Sequence, residues 1–404
     1  MLLKFGIKNV FRNKRRTILS GLAIGVGLTA MIVTDGFMIG MMDNLVGSVI
    51  ETFTGDGQIH AEGFKENFEV EKYIRDVSKL VKKLEKEKEI RQVTTRTQTF
   101  GMISSPDNYV NIGVIGIESK KESRIIRIQK AVVKGTLPLR PADIAIGHKL
   151  AEKLEVNMGD KVVVTVAQAF SEDLAQEQFR VSGILDFGSR EFDSSMAFIK
   201  LSRAQDMLNL RDGAHEIVLK FYDKEIAGNV DHPIWKKYSV DGLKAESWKK
   251  LAPEIMAMMK MIDISVYIIS IIVFILSAII IINTLFMSFY DRMFEFGVLR
   301  SIGTRPGKII RLIMIEASAL SVVSIICGFI ITAAATIYLS TVGIDYGGMQ
   351  VGETTMSEPI YFVFRATQFT VFPAAVFILS LLAAVYPAIY ASKITIVKAM
   401  DRSL

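Results

Sequence analysis

Four stretches of this 404-residue sequence carry no charged side chain: 17–34, 264–290, 317–344 and 366–392. Each reaches the roughly 18–20 residues that a helix needs to cross a ~30 Å hydrocarbon core. Lipid offers the backbone no hydrogen-bond partners, so such stretches have to fold as helices. The first runs on through Gly36, Phe37, Met38 and Ile39, past the apolar segment of a cleavable signal peptide. The sequence therefore predicts four transmembrane helices.

Charge orients them. Lys4, Lys8, Arg12, Lys14, Arg15 and Arg16 precede the first span. Arg292, Arg300, Arg305, Lys308 and Arg311, with Asp291 and Glu295, lie between the second and third, and Lys393, Lys398 and Arg402, with Asp401, follow the fourth. These flanks hold fourteen basic and three acidic residues, a net of +11; the whole chain is +6, which leaves −5 for the remainder. Basic residues gather on the cytoplasmic side. The expectation is a multi-pass membrane protein with both termini cytoplasmic and a large domain outside. The basic balance comes from membrane flanks and calls for no nucleic acid.

The expected divisions are a cytoplasmic amphipathic helix at 1–16, a first span at 17–42, an outer domain at 43–263 and a second span at 264–290. A cytoplasmic elbow at 291–311, a third span at 312–344, an outer loop at 345–365, a fourth span at 366–392 and a tail at 393–404 follow. Gly21 and Gly25, like Gly36 and Gly40, form small-xxx-small pairs that permit close helix approach, either within the chain or between subunits. Asp35 reads as an interfacial acid at the outer end of the first span.

The outer domain reads as α+β. Val70, Ile74, Val77, Val81 and Leu84 fall on one helical face across 69–90, and 201–210 reads as a short helix. VTTRTQTFGMI, YVNIGVIGI, KVVVTVA and FRVSGILDF read as strands. His60, His148, His215 and His232 are scattered and the single cysteine, Cys327, lies in the third span, so no metal ligand set and no disulfide is expected. Asp56, Asp160, Asp186 and Asp193 read as turn residues. No G-x-S-x-G elbow or other catalytic constellation is present, so no catalytic residue is assigned.

FEFGVLRSIGTRPGKIIR, residues 294–311, looks at first like a phosphate loop. Gly303 and Gly307 stand one residue too close for that, and Ile309 follows Lys308 where Ser or Thr must hold magnesium. The alternative is helix, break, helix. Phe294, Val298, Leu299 and Ile302 make an apolar stripe, Gly303 breaks the helix, Thr304 caps the next one and Pro306 suits its first turn. A mere linker has no need of an apolar-striped helix, so this elbow is expected to dock against another protein.

The stretch DRMFEFGVLRSIGTRPGKIIRLIMIEA resembles the signature of FtsX/MacB-type ABC transporter permeases through Arg292, Glu295, Gly297, Leu299, Arg300, Gly303, Glu316 and Ala317. YPAIYASKITIVKAM resembles the closing motif of that family through Pro387, Ala388, Ala391, Ser392 and Ala399, with Thr395 or Ile396 where a proline is common. DIAIGHKLAEKLEVNMGDKVVV and FRVSGILDFGSREFD are similar to the LolC/LolE branch, the lipoprotein-releasing permeases. The resemblance implies an α-helical membrane protein with four transmembrane helices and a large α+β, MacB-like periplasmic core domain between helices 1 and 2.

It also implies a function: extraction of lipoproteins from the outer leaflet of the inner membrane by mechanotransmission. A cytoplasmic ABC ATPase dimer would hydrolyse ATP with Mg on a separate polypeptide, this chain binding no cofactor and lacking an ATPase motif. A second permease subunit, identical or paralogous, membrane lipids and a periplasmic lipoprotein carrier complete the implied partners. Coupling to the ATPase would fall to Arg292, Glu295, Gly297, Leu299, Arg300, Gly303, Thr304 and Arg305. The substrate cavity would be lined by Leu28, Met31, Ile32 and Phe37 on the first helix and Tyr267, Ile271 and Phe274 on the second. One departure stands out: where LolC-type chains carry a proline-rich hook for the carrier, AQAFSEDLAQEQ (167–178) is short, acidic and without proline. Two other activities within the family remain open, a MacB-like efflux permease for peptides or drugs and an FtsX-like signalling permease that activates a cell-wall hydrolase. The start of the chain at its amphipathic helix weighs against the first, and the size of the outer domain against the second.

Overall fold

The computed structural model describes residues 6, 8–170, 173–344, 350–351, 354–355 and 359–393. Lys4, Lys398, Ala399, Asp401 and Arg402, Thr395 and Ile396, and residues 345–349, 352–353 and 356–358 of the 345–365 loop lie outside those residues. Helix α1 (Lys14–Val49) runs on through a π turn at Ile50–Thr54 to the first strand. The outer domain follows, with helices α2 (Val77–Leu84), α3 (His148–Leu154), α4 (Arg190–Ser195) and α5 (Leu201–Leu208) as its main ones. Then come α6 (Pro253–Asp291), α7 (Met293–Ser301), α8 (Pro306–Val342) and α9 (Ala366–Lys393). Four of these, α1, α6, α8 and α9, are long and apolar enough to span a membrane. At 39 residues and 1.5 Å per residue, α6 is about 58 Å long. Its helix begins eleven residues ahead of the charge-free stretch, because Pro253 suits a first helical turn and nothing between it and Ile264 breaks the helix.

Within the helical unit, α1 packs on α8 through its glycines. A β-carbon at Gly25 would stand 2.8 Å from the Gly328 nitrogen, so the two backbones touch where both lack side chains. Thr29 sits one turn on; its hydroxyl reaches the carbonyls of Gly25 (2.9 Å) and Gly328 (3.1 Å) and meets Thr332 at 3.0 Å. Such hydrogen bonds matter because the surroundings offer no water. Gly21 faces Val323 and Ser324 at ordinary contact distance, while Gly36 and Gly40 lie against Phe362 and Tyr361. All four glycines are therefore used inside the chain. Asp35 accepts a hydrogen bond from Gln368 at 2.9 Å. Ile24, Leu28 and Ile32 on α1 join Ile281, Leu285 and Phe289 on α6 and Ala384 and Ala388 on α9 in one apolar core.

The outer unit is organised by one strand. Strands β1 (Gly57–Ala61), β2 (Ile90–Ser104), β3 (Tyr109–Ile117), β4 (Val132–Gly135) and β5 (Asp143–Gly147) come first; β6 (Lys161–Ala167), β7 (Leu174–Leu185), β8 (Met196–Lys200), β9 (Glu216–Phe221) and β10 (Leu243–Ser247) follow. The first half of β2 continues an antiparallel sheet ordered β10-β1-β9-β2. Its second half enters a closed circuit, β2-β3-β8-β5-β7-β6 and back to β2. Ile103, Val114, Ile146, Val164, Phe179 and Ile199 fill that circuit, and Leu150 of α3 and Leu208 of α5 pack onto the same core. Closure removes free edges.

Charge is buried where the halves of β2 meet. Arg96 is almost wholly enclosed; its guanidinium binds Glu122, donates to the Phe53 carbonyl at 2.6 Å and lies over the Phe53 ring. Buried Glu216 pairs with Lys65. His215, also buried, accepts from the Gln98 N–H at 2.9 Å, sits 3.0 Å from the Val70 carbonyl through its other nitrogen, and stacks on Phe64. Burial lowers its pKa, and the two contacts fit a neutral ring with the proton on Nε2.

Several sequence readings are corrected here. The helix expected over 69–90 shrinks to α2, because Ile74 bridges to Ala214 and Asp76 takes a left-handed φ of 48°. Asp56 is no mere turn residue: it is buried, pairs with Lys220 at 2.8 Å and accepts the Phe221 N–H at 2.8 Å. Asp193 is buried as well. Half of 167–178 is strand, since β6 ends at Ala167 and β7 begins at Leu174.

Gly25→Leu forces side-chain atoms into the α8 backbone, an overpacking that costs about 1–3 kcal/mol. Thermal unfolding of the purified chain in detergent should show a clear drop for Gly25→Leu and almost none for Gly21→Ala; equal drops would contradict the close contact.

Candidate functional site

The elbow is assembled from the end of α6 to the start of α8. Asp291 closes α6, and Arg292 turns the chain at φ −120°, ψ 17° into α7. The end of α7 is a Schellman motif. Gly303 adopts φ +86°, its N–H bonds the Arg300 carbonyl at 3.1 Å, and the Thr304 N–H bonds the Leu299 carbonyl at 3.0 Å. Glycine is required there by the backbone alone, since nothing crowds the position of its missing β-carbon. Pro306 opens α8, but Arg305 rather than Thr304 occupies the cap position and no side chain caps it.

The inner side of the elbow holds a charge network. Arg292 is buried and donates to Glu316 at 2.5 Å and Glu295 at 2.9 Å, its guanidinium lying 5.1 Å from the Phe296 ring centre. Glu316, buried on α8, also accepts from Asn9 at 2.8 Å. Arg12 binds Glu295 at 2.5 Å and Arg16 binds Asp291 at 2.7 Å. Segment 9–16 is thereby fastened to both arms of the elbow. Burial alone would lower the Arg292 pKa, but Glu316 and Glu295 outweigh it and raise it. Burial would likewise raise Glu295, and the hydrogen bonds from Arg12 and Arg292 outweigh it and lower it. The stability Glu295 contributes is complete above the ordinary carboxylate range and is lost as pH falls through its lowered pKa.

The outer side is apolar. Phe294 (51% exposed), Val298 (37%) and Ile302 (73%) stand four residues apart on one face of α7. Arg305 and Lys308 are exposed beyond its end. The expected coupling residues thus separate into two groups. Arg292 and Gly297 are buried, and Leu299 packs against the helical core, so these three hold the elbow together. Glu295, Arg300 and Thr304 are half-buried, while Gly303 and Arg305 are open to solvent. Sequence reading placed Glu316 in the family signature but not among the coupling residues, and gave Asn9, Arg12 and Arg16 no place in the site. Their signal was present as unlike charges on opposite sides of the first and second spans, but no spacing rule ties residue 12 to residue 295.

The expected cavity residues also separate. Leu28, Met31 and Ile32 are buried inside the chain's own helical unit, which corrects their assignment to an open lining. Helical periodicity puts Leu28 and Ile32 on the α1 face that carries Gly25 and turns toward α8. Tyr267 (70% exposed) and Ile271 (57%) do stand on an open apolar face of α6, while Phe274 packs partly against the core and Phe37 is half-buried.

Comparison with known proteins follows the same division of the chain. Residues 17–231 match the MacB-like periplasmic core domain, over half of the chain, and 267–396, which contain the elbow, match the FtsX-like permease C-terminal domain. The chain belongs to the FtsX/MacB-type ABC permease family. Among its relatives, the lipoprotein-releasing system transmembrane protein LolE of Haemophilus influenzae is 23% identical over 392 residues, 93% of this chain and 91% of that one. The corresponding LolC of Xylella fastidiosa is 23% identical, over 69% of this chain and 70% of that protein. Among solved structures, the periplasmic region of MacB from Actinobacillus actinomycetemcomitans aligns with TM-score 0.35 and 14% identity, covering 52% of this chain and 96% of that one. The extracellular domain of the noncanonic ABC-type transporter YknZ aligns with TM-score 0.34 and 11% identity, over 47% of this chain and 99% of that one. The permease is thus a membrane protein whose MacB-like periplasmic domain precedes its FtsX-like helices.

Removing one member of a buried ion pair strands the other and costs about 3–5 kcal/mol. Arg292→Met should therefore destabilise the permease strongly, and Arg292→Met with Glu316→Leu should recover much of the loss. Arg12, which is largely exposed, should cost at most about 1 kcal/mol as Arg12→Ala. Denaturation in detergent measures all three; a double variant no better than the single one would contradict the pairing.

Proposed function

We propose that this permease works in an ABC transporter that draws lipoproteins out of the outer leaflet of the inner membrane, powered by a separate pair of ATPase subunits. The observation that carries the reading is the match to a lipoprotein-releasing LolE over nearly the full length of both chains. The elbow supports it independently: a rigid, charge-braced turn presents Phe294, Val298 and Ile302 outward, as a docking ridge must. Basic flanks put that ridge and both termini in the cytoplasm. ATP and Mg act on the ATPase subunits, and this chain contributes the lever they push.

The energetics explain why a motor is needed. Each CH₂ withdrawn from the bilayer costs ~0.8 kcal/mol, so releasing two or three acyl chains costs on the order of tens of kcal/mol. Closure of the ATPases moves α7, and α6 carries the motion as one unbroken helix. Acyl chains are received against the open face of α6 around Tyr267 and Ile271, opposite a second permease subunit, identical or paralogous. A soluble carrier then takes the lipoprotein; the short 168–173 connection makes its contact with this subunit different from that of a proline-rich hook.

The test is reconstitution with the co-purifying ATPase in liposomes that hold a triacylated lipoprotein. ATP-dependent release to a carrier is expected. ATP turnover indifferent to lipoprotein would overturn the reading and favour an efflux pump or a signalling permease. Ile302→Asp and Phe294→Ser leave the brace intact and should cut release about tenfold while the protein still inserts; Glu295→Ala, Arg300→Ala and Gly303→Val should uncouple turnover from release. Normal release by all five would contradict the elbow's role.

A further inference from the structure

His148, Asp186 and Asp193 lie on separate elements, and the fold of the outer domain brings them together. Strand β5 ends at Gly147, and His148 opens α3. A β-carbon on Gly147 would stand 2.2 Å from the Asp193 carbonyl oxygen and 2.6 Å from its Cα, so only glycine lets α4 lie this close to the end of β5. That contact sets the Asp193 carboxylate beside the imidazole. His148 Nδ1 is 3.8 Å from Asp186 Oδ1 and 3.8 Å from Asp193 Oδ2. One ligand atom from each residue lies within 4.8 Å of the other two.

The hydrogen bonds around the group do not account for it. Asp193 Oδ1 accepts the Phe187 N–H at 2.8 Å, and Asp186 Oδ1 accepts the Gly188 N–H at 2.8 Å. Both bonds fix the carboxylates and leave Asp193 Oδ2 turned to the ring. His148 Nδ1 is itself buried and has no hydrogen-bond partner among the described residues. A buried ring nitrogen without a hydrogen-bond partner is costly unless something fills the gap, and here two carboxylate oxygens face it.

We propose that His148, Asp186 and Asp193 form a divalent transition-metal site on the periplasmic domain. One imidazole and two carboxylates suit Zn²⁺, Mn²⁺ or Co²⁺. Metal–ligand distances of about 2.0–2.2 Å put ligand atoms roughly 3.3 Å apart, so each histidine–carboxylate distance closes by about half an ångström on binding and the widest pair by at most about 1.5 Å. Asp186 is half-exposed, in the short loop between β7 and α4, and supplies that movement. His148 also lines a surface groove with Val133, Lys134, Glu152 and Ile184, and the exposed Asp186 opens the group to solvent from its other side. The bound ion would tie the 186–193 segment to α3. The site is independent of the transport reading, and the spacing of the three residues in the sequence conceals it.

The full-length permease, purified without a polyhistidine tag, is dialysed against Zn²⁺, and Co²⁺ absorption reports the ligand set. Uptake of one equivalent is expected, with a raised unfolding temperature. His148→Ala and Asp186→Asn, both at partly exposed positions, should each lose at least tenfold in affinity while keeping the parent's circular dichroism. No uptake of Zn²⁺, Mn²⁺ or Co²⁺ by the parent, or parental affinity in both variants, would overturn the site.

Discussion

A guanidinium withdrawn from water at the end of the second span governs the shape of the elbow. Arg292 can stay buried only because Glu316 and Glu295 both reach it, and those two carboxylates sit on different helices. Satisfying one charge therefore fixes α8 against α7. Glu316 and Glu295 in turn hold Asn9 and Arg12, so the segment before the first span is drawn into the same network. A buried ion pair is weak as a source of stability but strong as a constraint on geometry, since any displacement that parts the charges strands them. The apolar ridge on the other side of α7 needs this support, because three exposed side chains on an unbraced helix would be buried by collapse of the helix itself.

The outer domain applies the same physics without a disulfide. Arg96 binds Glu122 on one side and the Phe53 carbonyl on the other. Phe53 belongs to the π turn that continues α1, so the end of that helix is held by a buried charge on β2.

The spans were legible because lipid leaves the chain so few choices: an uncharged run of 18 residues or more has to be a helix. The strands at 93–103, 109–117 and 161–167 were legible from β-branched content, and the α+β class with them. What a linear reading lacks is the third dimension of a periodic face. Leu28 and Ile32 are as apolar as any lipid-facing residue, and only the Gly25–Gly328 contact shows that their side of α1 is turned inward. Val70 and Ile74 keep helical spacing with α2, yet the bridge from Ile74 to Ala214 outweighs that periodicity. Buried charge is the least legible of all, because Arg96, Glu122 and Glu216 look like ordinary surface residues until the fold supplies their partners.

The two halves of the site were unequally visible for a related reason. Motif positions such as Gly297, Arg300 and Gly303 stand close in sequence, and their spacing alone distinguishes the elbow from a phosphate loop. Their roles do not follow from spacing. Gly303 serves the backbone, Gly297 and Leu299 serve packing, and Arg292 serves Glu316, which leaves Phe294, Val298 and Ile302 as the exposed apolar ridge. These signature positions mostly hold the elbow rigid. A surface that met a partner would have only to be apolar and correctly spaced, a demand that leaves no fixed residue for a motif to name.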